Sequence, residues 1–268
     1  MIERGYKYFR WLSLDIVLGA IVFLAFLGQH YQIAISIHVY FALASAVWLI
    51  YTADHLLDSR KPAASERRLF HQSHFRILSV TSGVTLSLAL LNVYFLPVEV
   101  IKAGAILSAL CILYLTLVYF LRSLWFKELL VAFGYAAGVF LGPFSLSPNW
   151  ELVDALLVVE LAIVALINLL IFSVYDLEED QKQGFGSIPN RMGMAASKRL
   201  INLLLLCSFT MTLLIAGISG STNAIQAVYF MMSLVLGSVL WLPGYYSANE
   251  RFRLVGDAVF FLPVVFLL

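Results

Sequence analysis

Four aspartates carry the clearest chemical signal in the sequence. Asp54 and Asp58 form one pair and Asp176 and Asp180 a second, each spaced i, i+4, so both carboxylates of a pair share a helix face. The pairs repeat at one interval, since 176 − 54 and 180 − 58 both give 122. Each pair closes a long apolar run, which places it at a helix C-terminal end. There the macrodipole disfavours a carboxylate by about 0.3–1 kcal/mol at exposed sites, and like charges at i, i+4 add repulsion. A cation removes both penalties. All-oxygen ligands with no cysteine nearby favour magnesium, which takes one or two carboxylates and fills its shell with phosphate oxygens and water. Arg60, Lys61, Arg67, Arg68 and Lys182 flank the acids. Carboxylate, metal, phosphate and flanking basic groups together form the clamp used where a phosphate is bound or leaves.

The elements that position these groups are membrane helices. Of 268 residues, 62% are hydrophobic and 12% charged, and mean hydropathy is +0.91. A soluble domain carries about twice that charge. Disordered, collagen-like, coiled-coil and disulfide-stapled classes are excluded on the same grounds, and a net charge of +1 gives no bulk attraction to nucleic acid. Breaks divide the chain into nine apolar runs, roughly 11–28, 33–54, 77–96, 99–121, 128–147, 153–175, 200–219, 224–246 and 254–268. Strand-like alternation is missing, so the expected fold is an all-α integral membrane protein. The last run is short, about 22 Å at 1.5 Å per residue. With the N-terminus cytoplasmic, every one of the 17 basic residues except Lys102 falls on the inward side. Nine spans around a cytoplasm-facing cavity, in one domain over 1–268, are therefore expected. The repeated acid motifs at 54–58 and 176–180 make two similar halves possible.

Two long connections, roughly 55–76 and 176–199, lie on the inward side and hold the basic residues beside the acids. Asn168 lies two turns before Asp176 near the same face, as either a metal or substrate contact or an interhelical hydrogen bond. Glu160 lies deeper, where an acid is a functional candidate. Asp15 and Asp257 sit at helix N-terminal ends, which the dipole favours. His71 and His74 read as part of an interfacial amphipathic helix, and Lys127 and Glu128 as interfacial anchors. Gly134, Gly138 and Gly142 read as a stripe for close helix approach. Cys111 and Cys207 read as free thiols.

The stretch DHLLDSRKP, from Asp54 to Pro62, resembles the first signature of the UbiA superfamily of intramembrane prenyltransferases, NDxxDxxxD followed by basic residues and proline. DLEEDQKQGFGSIPNRMG, from Asp176 to Gly193, resembles the second, with Asp176, Asp180, Gly184, Ser187, Pro189 and Gly193 at the family's spacings. The family's usual Asn-Asp falls at Ile50 and Tyr51, a departure that touches metal stoichiometry or activity itself.

The resemblance implies magnesium-dependent transfer of a prenyl group from a polyprenyl diphosphate to an aromatic or other lipophilic acceptor. Asp54, Asp58, Asp176 and Asp180 would hold the metal. Arg60, Lys61 and Lys182, then Arg67 and Arg68, would stabilise the diphosphate, with Asn168 and Tyr135 as further substrate contacts. Tyr51, Tyr135 and Tyr175 are aromatic candidates for facing an allylic cation. Such a protein sits in a bacterial or archaeal cell membrane among lipid. The alternatives are a catalytically silent relative, an ion-coupled transporter and a lipid-binding membrane protein, and within the enzyme class ionisation can end in cyclisation. Acceptor, prenyl length and oligomeric state are not readable from the sequence.

Overall fold

The computed structural model describes residues 2–60, 65–120, 125–147, 149–178, 181, 186–219 and 224–267. Among these every regular element is helical, as expected of a backbone that must satisfy its own hydrogen bonds in lipid. Lys61, Asp180 and Lys182 lie outside the described residues.

Seven helices are long and apolar enough to cross a membrane: α3 (Ile37–Asp58), α5 (Phe75–Asn92, extended by a 3-10 turn to Phe95), α6 (Val98–Phe120), α7 (Lys127–Leu146), α8 (Leu152–Tyr175), α10 (Met194–Ser219) and α11 (Ala224–Trp241). An eighth candidate is a bent pair. The run expected over 11–28 is α2 (Leu14–His30), and the charged stretch before it forms a separate helix α1 (Ile2–Trp11), with an angle of 71° between them. Ser13 makes the bend with φ 55°, in the left-handed region, and its Oγ lies 3.3 Å from His55 Nε2.

The ninth run is built differently from the rest. Helix α13 (Arg251–Ala258) continues as a 3-10 helix over Val259–Phe266 that contains Pro263. Eight residues at 1.5 Å and eight at 2.0 Å give about 28 Å, close to the hydrocarbon thickness.

Helix α8 lies at the centre of the core. Leu161, Ile167, Leu170 and Ile171 are fully buried, with α7 and α10 packed on either side and α11 behind. Helices α5 and α6 lie outside, with Leu90, Leu91, Ile106 and Ile112 exposed as for lipid contact. The glycine stripe serves close approach at one end only. A Cβ on Gly142 would meet Val39 at 3.0 Å and Leu24 at 3.3 Å, whereas nothing lies within 4 Å of one on Gly134. Helix α4 (Glu66–Ser73), N-capped by Ser65, lies against α1. Tyr8 and Trp11 pack on Phe70 at 5.5 and 5.4 Å, and Gln72 Nε2 donates to Ser59 O at the end of α3. His71 is buried rather than interfacial. Its Nδ1 lies 2.8 Å from Arg67 O, and its ring lies 4.8 Å from that of His55.

Candidate functional site

Helix α3 keeps its period to its last residue, so Asp54 and Asp58 share its face one turn apart. Helix α8 ends at Tyr175, and Asp176 is its C-cap, with its N–H bonded to Phe172 O at 2.9 Å. Helix α4 puts Arg67 within electrostatic reach of both ends. The Arg67 side chain keeps solvent access within a crowd of protein atoms, and its electrostatic neighbours are Arg253, Asp54, Asp176 and Asp58. Burial and the Arg253 guanidinium pull Arg67 below its ordinary pKa, while the three carboxylates push it back. Two signatures about 120 residues apart in sequence thus share one electrostatic site.

Side chains from other helices stand around that site. Tyr114 on α6 lies within electrostatic reach of Asp54, Tyr51, Glu128 and Asp58. Tyr51 reaches Asp257, Asp54 and Asp15, and Tyr135 on α7 reaches Tyr51 while its ring edge packs on Phe260 at 5.1 Å. From α13, Arg253 Nη2 donates to Asp176 Oδ2 and stands over the rings of Phe252 and Phe172 at 5.1 and 5.8 Å. Asp257 lies 3.8 Å from Arg10 Nε and is an electrostatic neighbour of Asp15. Dipole alone was the expected role of these two acids; in the structure they are close neighbours across two helices.

The remaining sequence candidates divide by position. Asn168 is buried two turns below Asp176, and its Oδ1 has no hydrogen-bond partner among the described residues. Tyr175 turns away, donating to Val239 O at 2.8 Å and stacking on Phe252 at 4.3 Å. Arg60 is exposed just beyond α3, and Arg68 lies on α4 with its N–H bonded to the Ser65 cap. Glu160 is remote: 16 residues before Asp176 on one helix is about 24 Å, and there it accepts from Thr212 Oγ1.

The second signature also has a structural job. Glu128, expected as an anchor, is buried and accepts from Ser173 Oγ at 3.1 Å and Ile188 N at 3.4 Å. It thereby holds the start of α7, the end of α8 and the start of α9 (Ile188–Met192) together. Ser187 caps α9 by accepting from Asn190 N at 3.1 Å, Pro189 fits its first turn, and Gly193 ends it at φ 80°. Ser187→Ala is expected to lower stability by about 1 kcal/mol, read as a fall in Tm in detergent, with Ser187→Thr close to the parent.

Sequence reasoning missed Arg253, Asp257, Tyr114 and the bridging role of Glu128. The available signal was Arg253 and Asp257 at i, i+4 at the mouth of the last apolar run.

No family model and no curated protein matches the chain. Solved structures do. A UbiA homologue from Aeropyrum pernix aligns at TM-score 0.71 and 15% identity, over 95% of this chain and 98% of the other. The chain has the fold of the UbiA homologues. One from Archaeoglobus fulgidus bound to GPP and Mg2+ also aligns at 0.71, with 13% identity over 97% and 96%. A digeranylgeranylglyceryl phosphate synthase aligns at 0.61, with 15% identity over 98% of both chains. The UbiA fold thus covers 95–98% of the chain.

The donor set suits magnesium with phosphate present. Among the described residues no three His, Cys, Asp or Glu side chains are close enough to hold one ion alone. Carboxylates supplied in ones and twos from two helix ends match an ion that takes one or two of them and completes its shell with phosphate and water.

Proposed function

We propose that the chain is a prenyltransferase that moves a prenyl group from a polyprenyl diphosphate to an aromatic or other lipophilic acceptor, with magnesium. The observation that carries this reading is that Asp54, Asp58 and Asp176 all lie within electrostatic reach of Arg67 inside a UbiA fold. Asp54, Asp58, Asp176 and Asp180 are the metal-holding residues. Magnesium, when bound, offsets charge on the diphosphate as its bond to the prenyl carbon breaks. Arg67 then supplies fixed positive charge to the leaving diphosphate, with Arg60, Arg68, Lys61 and Lys182 as further basic groups on that side.

Tyr51, Tyr114 and Tyr135, near the acids, would offer aromatic surface to the developing allylic cation, while the apolar helices keep water away. The prenyl carbon loses its bond to oxygen and gains one to the acceptor, which releases a proton. We assign nine spans, with the N-terminus and both acid motifs cytoplasmic, in a bacterial or archaeal cell membrane. The basic residues support that orientation. Ion-coupled transport fits less well, because transporters place their acids near the midplane and these end α3 and α8.

The test is incubation of the purified protein in lipid nanodiscs with prenyl diphosphates and a panel of lipophilic acceptors. Diphosphate release and a prenylated product are expected with Mg2+ and lost with EDTA. Tight binding of the diphosphate without turnover on any acceptor would identify a silent relative, in keeping with Ile50 and Tyr51.

A further inference from the structure

Arg253 belongs to neither signature, yet it makes the direct ion pair with the first acid of the second one. The pair is part-buried, with 21% of the Arg253 and 25% of the Asp176 side chain exposed. The same guanidinium has Glu250 Oε2 at 3.9 Å and rests over two phenyl rings. Its helix is fixed in place, because α13 approaches α8 so closely at Gly256 that a Cβ there would meet Asn168 and Phe172. The guanidinium is therefore held beside Asp176 by packing.

We propose that Arg253 is a resident counter-ion that competes with the divalent cation for Asp176 and is handed to the diphosphate when the cation arrives. The inference rests on the reading of the site as a metal–diphosphate site and adds a residue and an order of events to it. Asp176 sits at the negative end of α8. Without metal it needs a cation, and Arg253 provides one. A metal ion binding alone must displace the guanidinium, leaving Arg253 facing Arg67 with fewer anions between them. A metal ion arriving with diphosphate brings the oxygens on which the displaced guanidinium can form two parallel hydrogen bonds. Metal and diphosphate then favour each other's binding, and this coupling is carried by Arg253.

The experiment measures binding without turnover. Mn2+ alone, and inorganic pyrophosphate in the presence of Mn2+, are titrated into the full-length protein in nanodiscs by calorimetry and Mn2+ electron paramagnetic resonance. Arg253→Gln is expected to tighten Mn2+ alone by about fivefold or more, the low end of typical coupling factors. It is also expected to weaken pyrophosphate by about tenfold or more, the loss of one charge-assisted hydrogen bond. Arg253→Lys is expected to move both affinities the same way by less, so the result stands even if the glutamine variant does not fold. Glu250→Gln leaves Asp176 paired and is expected to stay within about twofold of the parent in both titrations.

Unchanged or weaker Mn2+ binding in the Arg253 variants overturns the proposal, as does unchanged pyrophosphate binding. If the parent protein binds neither Mn2+ nor pyrophosphate, the metal–diphosphate reading itself fails and the proposal falls with it. If the parent binds both and only the Arg253 effects are missing, the function stands and the handover does not.

Discussion

Asp54→Asn is expected to reduce Mg2+-dependent diphosphate release by about 100-fold or more in kcat/KM, the effect of losing roughly 3 kcal/mol of electrostatic stabilisation. Stability should move the other way or stay level. Asp54 is one turn from the C-terminal end of α3, at i, i+4 from Asp58, so a neutral side chain relieves both dipole and pair repulsion. Each term is a few tenths of a kcal/mol. A Tm equal to or above the parent's without metal, together with lost turnover, is the signature of an acid kept for chemistry. Asp176→Asn should lose a similar factor in turnover without the gain in Tm, because it also removes the partner of Arg253. Full turnover in either variant would remove that residue from the mechanism, and a large fall in Tm for Asp54→Asn would make it structural.

These acids were legible in the sequence because their signal is local. Four residues make one helical turn, and a pair of acids at the end of an apolar run violates the dipole preference wherever the helix lies. The membrane helices were legible for a similar reason, since a run of about 20 apolar residues has few stable alternatives. What escaped depends on contacts between distant segments. Nothing local to Arg253 states that it reaches Asp176, 77 residues earlier. The break at Leu12 and Ser13 falls where the charged stretch Ile2–Trp11 meets the expected apolar run, and no residue there signals how sharply the chain bends. It became necessary once α1 packed on α4 through Tyr8, Trp11 and Phe70. His71 was similarly ambiguous: its sequence neighbours are polar, but its surroundings are His55 and the α1–α2 bend. Arg67 ranked behind Arg60 as a flanking base because it lies further from the acids in sequence, and only the placement of α4 put it among them.

The second large effect is expected at a residue with no functional group. Gly256→Ala should lower stability by about 1–3 kcal/mol, the range for overpacking, and should reduce turnover as well. The added Cβ would lie 2.4 Å from Asn168 Oδ1 and 2.5 and 2.8 Å from Phe172 ring atoms. Either those side chains yield or α13 moves off α8. Asn168 is buried and Phe172 lies beneath Arg253, so yielding disturbs the site from below and moving shifts Arg253 and Asp257 with their helix. Thermal unfolding in nanodiscs measures the first effect and diphosphate release the second. The double variant Gly256→Ala/Asn168→Ala separates overpacking from a helix-propensity effect. Alanine favours a helix over glycine by about 1 kcal/mol, so without the clash the single variant would be stabilised. If the clash dominates, removing the Asn168 amide should make the double variant less destabilised than the sum of the singles, a coupling expected only of residues in contact. Additivity, or a rise in Tm for Gly256→Ala alone, would show that the close approach of α13 to α8 does not hold Arg253 over Asp176.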